Sequence, residues 1–280
     1  MNSVGVVIVT YNSDRVIDKT LRALASQSRQ PDKVIIVDNS SQDSKYLYDF
    51  TYSWLKVELQ TRNTGFCEGN NIGASSLKGY DFIFFLNHDA FIFQHFIKDA
   101  VDFMSDPRNA DVGVITGQML GYNLETERPT GLIDSTGIFQ SFYGRWYDRA
   151  QGSLAAKAAA KTQEVPAVCG ALMFCRRRAL DEVALGKDEI FDERFFMYKE
   201  DIELSLRLRR SGWRLLYVPE LLAYHCRGWN VDRSKMSFEA KYLSAINELR
   251  LYKRHPSLAV LFTLLKLAFV TRLGLRNYAH

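Results

Sequence analysis

Residues 4–13 read VGVVIVTYNS. Val4, Val6, Val7, Ile8 and Val9 form an almost unbroken β-branched run, the pattern of a strand buried on both faces. Tyr11-Asn12-Ser13-Asp14 ends it with turn and helix-capping residues. From Arg15 to Ser28 the apolar positions Val16, Ile17, Leu21, Leu24 and Ala25 recur with a helical period, and Pro31-Asp32 stops that helix. KVIIV at 33–37 is a second buried strand, ended by Asp38-Asn39-Ser40-Ser41. Val57–Gln60 reads as a third strand and Asn70 to Leu77 as a short helix. DFIFFL at 81–86 is a further strand, ended by Asn87-His88-Asp89. Strands alternating with helices predict an α/β fold with a parallel sheet covered on both faces. Ligands of such sheets bind beyond the carboxyl ends of the strands. Thr10–Asn12, Asp38–Ser41 and Asn87–Asp89 all lie on that edge.

The second half is less regular. Asp111–Gln118 reads as a strand, and 130–151, rich in Gly, aromatics and Arg, as loops. Leu154–Lys161 is either a helix former or a mobile stretch. Val165–Cys175 reads as a strand and Arg176–Leu185 as a helix. Ile202–Ser211 is a helix ended by Gly212, and Trp213–Val218 a short strand before Pro219. No repeat or linker divides the chain.

The 280 residues are 47% hydrophobic and 24% charged, which excludes a disordered or collagen-like chain. No uncharged apolar run reaches the roughly 18 residues of a spanning helix, and the N-terminus lacks a signal-peptide pattern. Cys67, Cys169, Cys175 and Cys226 are scattered, as expected of a reduced, cytoplasmic protein. The net charge of +4 is uneven. Residues 241–280 carry seven Lys or Arg and one acid, Glu248, so the tail is +6 and the first 240 residues sum to −2. A basic face spread over the fold is lacking, which argues against nucleic acid as a partner. The tail also holds LAVLFTLLKLAFV at 258–270. Basic and apolar residues together point to an anionic membrane surface, or to a helix docked on the core or on a second subunit.

Several clusters carry chemistry. Asp89, after a hydrophobic strand, can hold a divalent cation against a diphosphate, or Asn87 and Asp89 cap a turn. Asp38 can accept hydrogen bonds from a nucleoside, or cap a helix. NTGFCEGNNIG at 63–73 can cradle a diphosphate, or simply lead into a helix; it matches neither the P-loop nor the dinucleotide fingerprint. FFMYKEDIE at 195–203 sets an acidic pair, Glu200 and Asp201, at a helix start. The helix dipole explains acids there, and so does a general base. His225 is a metal ligand or a structural histidine. Hydrolase templates find no support.

In this order the pieces resemble the family 2 glycosyltransferases, inverting enzymes with the GT-A fold. The motifs are VVIVTYNS at 6–13, VIIVDNSS at 34–41, NTGFCEGNNIG at 63–73, FFLNHDA at 84–90, FDERFFMYKEDIELSLRLRRSGW at 191–213 and YHCRGW at 224–229. Asp134-Ser135-Thr136-Gly137 and Gly144-Arg145 resemble bacterial rhamnosyltransferase-type members, which act on lipid-linked saccharides in O-antigen, lipopolysaccharide or related polysaccharide assembly.

The resemblance implies a catalytic domain over 1–229, with a nucleotide-sugar half at 1–118 and an acceptor half at 119–229. Residues 230–280 then form a helical, membrane-associating segment. Thr10, Tyr11, Asn12, Asp38, Asn63, Gly65, Asn70, Asn87 and His88 would bind the nucleotide sugar. Asn87 replaces the first acid of the DXD position, leaving Asp89, with His225, to bind Mg²⁺ or Mn²⁺. Asp201 would be the catalytic base with Glu200 beside it. Cys169, Gly170, Tyr198, Arg227 and Trp229 would face the acceptor, and Arg227, Arg233, Lys235 and the 250–254 cluster its diphosphate. The implied donor is dTDP-rhamnose or, second, a UDP-sugar. The implied setting is the inner face of the cytoplasmic membrane, with a homodimer through the C-terminal helices as a further expectation. The rival readings are a nucleotidyltransferase, whose Gly-rich N-terminal loop is missing here, and a nucleotide-sugar-binding protein that has lost catalysis.

Overall fold

A computed structural model describes residues 2–226 and 237–277, with 273–277 as helical backbone. Arg227, Trp229, Arg233 and Lys235 lie outside the described residues.

The first strand, β1 (Val4–Thr10), leads through α1 (Ile17–Ala25) to β2 (Lys33–Asp38) and then β3 (Leu55–Leu59). Helix α2 (Gly65–Ser75) precedes β4 (Phe82–Leu86), β5 (Ala90–Ile92) and α3 (Phe96–Ser105). The strands β3-β2-β1-β4 lie side by side and parallel, as the continuous apolar runs predict. Thr10 is in register with Asp38, so two of the polar strand ends are neighbours.

The second half adds β6 (Val112–Asn123), β7 (Arg128–Ser135), the hairpin β8 (Ile138–Gln140) and β9 (Trp146–Asp148), the short β10 (Gln163–Glu164), and β11 (Leu172–Arg176). The expected loops of 130–151 are therefore mostly β-structure, with glycines and charges marking turns between short strands. The strand expected over 165–175 shrinks to β11. Leu154–Lys161 contributes only a single 3₁₀ turn, 155–157. Strand β11 runs antiparallel to β4 and β6, which makes the sheet mixed. An apolar run buried on both faces looks the same in either direction, so sequence pattern alone is silent on this point.

Helices α4 (Arg177–Val183) and α5 (Glu200–Arg210) cover the sheet before β12 (Arg214–His225). Pro219 does not end β12. The register between β12 and β6 is irregular between Tyr217 and Leu222, and that bulge accommodates the proline. The strand continues until His225 lies opposite Ala90 of β5, one residue from Asp89. Helices α6 (Phe238–Arg254) and α7 (Val260–Asn277) complete the described fold, and no described helix is long and apolar enough to cross a membrane.

Helix α2 begins at Gly65, five residues before the sequence pattern indicated, because glycine's low helix propensity hides its first turns. Its glycines serve packing. A Cβ on Gly73 would lie 2.4 Å from Val7 Cγ1, and one on Gly69 3.0 Å from Val9 Cγ1. Removing side chains there lets α2 press onto β1. Asn71, buried on the other face, accepts from the Ile190 and Phe191 amides and donates to the Phe191 carbonyl, tying α2 to the segment ahead of α5. Gly73→Ala should therefore destabilise the protein by about 1–3 kcal/mol through overpacking. Urea unfolding of the variant against wild type measures this, and an unchanged midpoint would contradict the packing role.

Candidate active site

At the strand ends, the buried Asp38 carboxylate accepts from Thr10 Oγ1 (2.9 Å), Ser41 Oγ (2.6 Å) and the Ser41 amide (3.0 Å). The Asn12 amide donates to Ser41 Oγ, and Asn12 Oδ1 accepts from the Gln42 amide. The two turns after β1 and β2 are thus knitted together, with Tyr11 exposed beside them. Asn39, which sequence reasoning passed over, is buried and connects this corner to α2. Its Nδ2 donates to the Gly65 carbonyl and its Oδ1 accepts from Thr64. Asn63 Oδ1 accepts from the Gly65 amide. Gly65 has φ +75, and a Cβ there would lie 2.5 Å from the Phe196 ring, so only glycine fits. Asn70 is buried and donates within its own helix, to Phe66 O.

The turn after β4 is held from two sides. The Asn87 amide donates to the Ala171 carbonyl, Thr20 Oγ1 donates to the His88 carbonyl, and His88 Nδ1 lies 3.2 Å from the Val9 carbonyl. Asp89 Oδ1 is 3.2 Å from His225 Nε2, and Asn87 Nδ2 is 3.4 Å from the same nitrogen. His225 Nδ1 faces Asp134 Oδ2 at 2.7 Å. Burial alone would discharge His225, but the Asp89 charge and the Asp134 hydrogen bond outweigh it and raise its pKa to about 10. Burial likewise favours a protonated Asp89, and the His225 charge and hydrogen bond override it, holding this carboxyl well below the usual range. Asp134 carries the main correction to the sequence reading. It lies in the segment singled out only for family resemblance, yet it orients the imidazole so that Nε2 meets Asp89.

Carboxylate oxygen and imidazole nitrogen side by side, with the second ring nitrogen anchored, form a donor set that fits a divalent cation, whose binding would displace the Nε2 proton. Among the described residues no cluster of three or more His, Cys, Asp or Glu forms a self-sufficient metal cage. The remaining ligands would have to come from the substrate or from water.

The acidic pair stands at the start of α5. Asp201 Oδ2 accepts from the Gly170 amide at 3.1 Å, and Oδ1 from the Ile202 amide at 2.8 Å. Gly170 adjoins Ala171, whose carbonyl holds the Asn87 amide, so the base candidate and the β4 turn share one support. Cys169 is buried beside them. Glu200 is buried, and among the described residues its Oε2 has no hydrogen-bond partner. Burial, reinforced by the charge of Asp201, raises Glu200 to about 8. Burial also raises Asp201, opposed by the Gly170 amide and the Lys199 charge. Both carboxyls of the pair are thus shifted upward by burial, and Glu200 is mostly protonated near neutrality.

The loop before this pair is strained. Phe196, Tyr198 and Lys199 all have positive φ, at 60, 72 and 74 degrees. It is clamped from two sides. The Phe66 and Cys67 amides of α2 donate to the Phe196 carbonyl. Asn247 Nδ2 of α6 lies 2.7, 2.7 and 2.9 Å from the carbonyls of Phe195, Met197 and Tyr198. Arg250 fixes the same amide by donating to Asn247 Oδ1 and also holds the Arg194 carbonyl. Arg254 pairs with Asp192 and Glu203. Arg250, though exposed, and the half-buried Arg254 thus brace the loop and α5 through these contacts. No pattern in the sequence marks Asn247, which lies in the segment read as a membrane tail.

The fold is that of the GT-A glycosyltransferases. The model of the family described as "Glycosyltransferase like family 2" matches residues 2–255, and the chain belongs to that family. It is 37% identical over 73 residues to an N-acetylglucosaminyl-diphospho-decaprenol L-rhamnosyltransferase of Mycobacterium tuberculosis, covering 26% of this chain and 22% of that protein. It is 31% identical over 132 residues to the poly(ribitol-phosphate) beta-N-acetylglucosaminyltransferase TarS of Staphylococcus aureus, covering 44% of this chain and 22% of that one. The chain therefore spans only 22% of the length of these curated relatives. Among solved structures, GalNAc-T7 with UDP, GalNAc and Mn²⁺ superimposes with a TM-score of 0.66 at 16% identity, over 90% of this chain and 48% of that one. TarS with UDP-GlcNAc gives 0.58 at 19%, over 96% and 71%.

The buried acid has a consequence for stability. The ordinary glutamate value is 4.5, and the folded protein raises Glu200 to about 8, so the native state binds more protons than the unfolded chain between those limits. Stability from this group is present in acid and is lost as pH rises through that window. Glu200→Gln mimics the protonated form. It should match wild type near the acid end and become more stable than wild type at pH values around 8, measured by thermal unfolding. A stability difference that does not change with pH would contradict this.

Proposed function

We propose that the chain is an inverting glycosyltransferase that moves a sugar from a nucleotide sugar to a hydroxyl of a lipid-linked saccharide. The observation that carries this is the convergence of Asp38, the Asp89–His225 pair and Asp201 on one sheet edge. The L-rhamnosyltransferase relative favours dTDP-rhamnose as donor and a polyprenyl-diphosphate saccharide as acceptor, in bacterial surface polysaccharide assembly. The UDP and UDP-GlcNAc held by the structural neighbours keep a UDP-sugar as the second choice. A membrane-borne acceptor places the enzyme at the inner face of the cytoplasmic membrane.

Each residue then has a physical task. Thr10 and Ser41 occupy three acceptor positions of the Asp38 carboxylate, leaving Oδ2 capacity for one nucleoside donor. Gly65, Asn63 and Asn39 shape the neighbouring wall. Asp89 and His225 would hold Mg²⁺ or Mn²⁺, with Asp134 orienting the imidazole; such a cation offsets negative charge on the departing diphosphate. Asp201, oriented by the Gly170 amide, takes the proton from the acceptor hydroxyl as that oxygen attacks the anomeric carbon. Attack from the face opposite the leaving group inverts the configuration. Protonated Glu200 spares the acceptor side a second negative charge. An intact, tuned Glu200–Asp201 pair speaks against a protein that only binds nucleotide sugars.

Nucleoside diphosphate release with dTDP-rhamnose and a panel of UDP- and GDP-sugars, with and without Mg²⁺ or Mn²⁺, tests the reading. Asp201→Asn should lower transfer by about 10²–10⁴-fold while the donor still raises the melting temperature. Full transfer by that variant would remove Asp201 as the base.

A further inference from the structure

Helix α7 is turned inside out relative to an ordinary surface helix. Thr263 and Val270 face the protein, and Lys266 reaches inward to the buried Glu248 of α6. The opposite face presents Leu261, Leu264, Leu265, Ala268 and Phe269 to solvent, at a spacing of three and four residues, and Arg272 follows on the same stripe. Lys266 and Arg272 are therefore on different sides of the helix. Leu258, 87% exposed, extends the stripe just ahead of the helix.

A second element joins it. The β8–β9 turn carries Phe142, fully exposed at 101%, and Tyr143. The two rings stack edge to face at 5.1 Å, and Tyr143 packs on Phe262 of α7 at 5.2 Å. Gly144 brings the turn close, since a Cβ there would lie 2.3 Å from Ala259 Cβ. Hairpin tip and helix thus form one continuous apolar surface, far beyond the scattered apolar residues of an ordinary monomer surface. Exposed cations flank it: Arg145 beside the tip, Lys253 at the end of α6 and Arg272 on the stripe.

We propose that this surface docks on an anionic lipid bilayer, with Phe142 and the α7 stripe entering the interface and the flanking cations meeting acidic headgroups. The purpose rests on the reading of a membrane-borne acceptor; the surface itself does not. Charge decides between lipid and a second copy of the chain. A two-fold dimer through this face would bring its own cations together, whereas acidic headgroups complement them. The inward ion pair of Lys266 with Glu248 fixes the helix apolar side outward. Glu248 adjoins Asn247, so docking sets the Asp201 loop one helix away from the lipid.

Sedimentation of the full chain with phosphatidylcholine–phosphatidylglycerol vesicles, and with phosphatidylcholine alone, tests this. Wild type should partition onto the anionic vesicles. Leu261→Glu combined with Leu265→Glu, and separately Phe142→Ser, should each weaken that partitioning, the double variant by at least about tenfold. Tyr48→Ser, on the turn after β2, should not. Melting temperature and its rise on adding donor should be unchanged throughout, which separates lost docking from lost folding. Wild type that stays in the supernatant, or variants that bind as wild type does, would overturn the proposal. So would a wild-type dimer that the double variant dissociates in ultracentrifugation without any change in vesicle binding. Vesicle binding without transfer from any donor would instead count against the proposed function and leave the docking face standing.

Discussion

A single amide on α6 bears on the whole candidate site. Asn247 reaches three carbonyls of a loop in which three non-glycine residues hold left-handed backbone. Each such residue costs on the order of 1–3 kcal/mol unless its surroundings enforce it. Here α6 enforces it from one side and the N-terminus of α2 from the other. The reward is directional. The loop delivers Glu200 and Asp201 to the start of α5 with Asp201 against the Gly170 amide. Phe66–Cys67 and Asn247, about 180 positions apart in the chain, therefore fix one carboxylate.

The other end of the edge uses charge rather than backbone strain. His225 is buried between Asp89 and Asp134. Three ionisable groups inside a protein are tolerated because each is paired and hydrogen-bonded. The bulged β12 brings the histidine there, and β6 and β7 bring Asp134. This corner of the edge is thus assembled from both halves of the chain. The Ala171–Gly170 segment links it to Asp201.

Much of this was legible in the sequence. The runs at Val4–Thr10, Lys33–Val37 and Asp81–Leu86 announce buried strands, and the polar residues after each mark the ligand edge. What the pattern concealed has physical reasons. The direction of β11 leaves no trace in an apolar run buried on both faces. The first turns of α2 hide behind glycines selected for close approach to β1. Strands β8 and β9 span only three residues each, and β7 runs from an exposed end to a buried one without alternating, so none shows the two-residue period. Asp134 and Asn247 act through partners some 50 to 90 positions away, and Lys266 points inward only because Glu248 awaits it. Such roles belong to tertiary contacts, which a single chain read locally does not display.

Asn247→Ala, followed by hydrogen exchange over residues 195–201 alongside transfer rate and donor binding, tests the clamp most directly. The account predicts faster exchange confined to that loop, transfer reduced by at least about tenfold because a slightly misplaced base loses most of its effect, and donor binding retained. Unchanged exchange in the loop with undiminished transfer would contradict it.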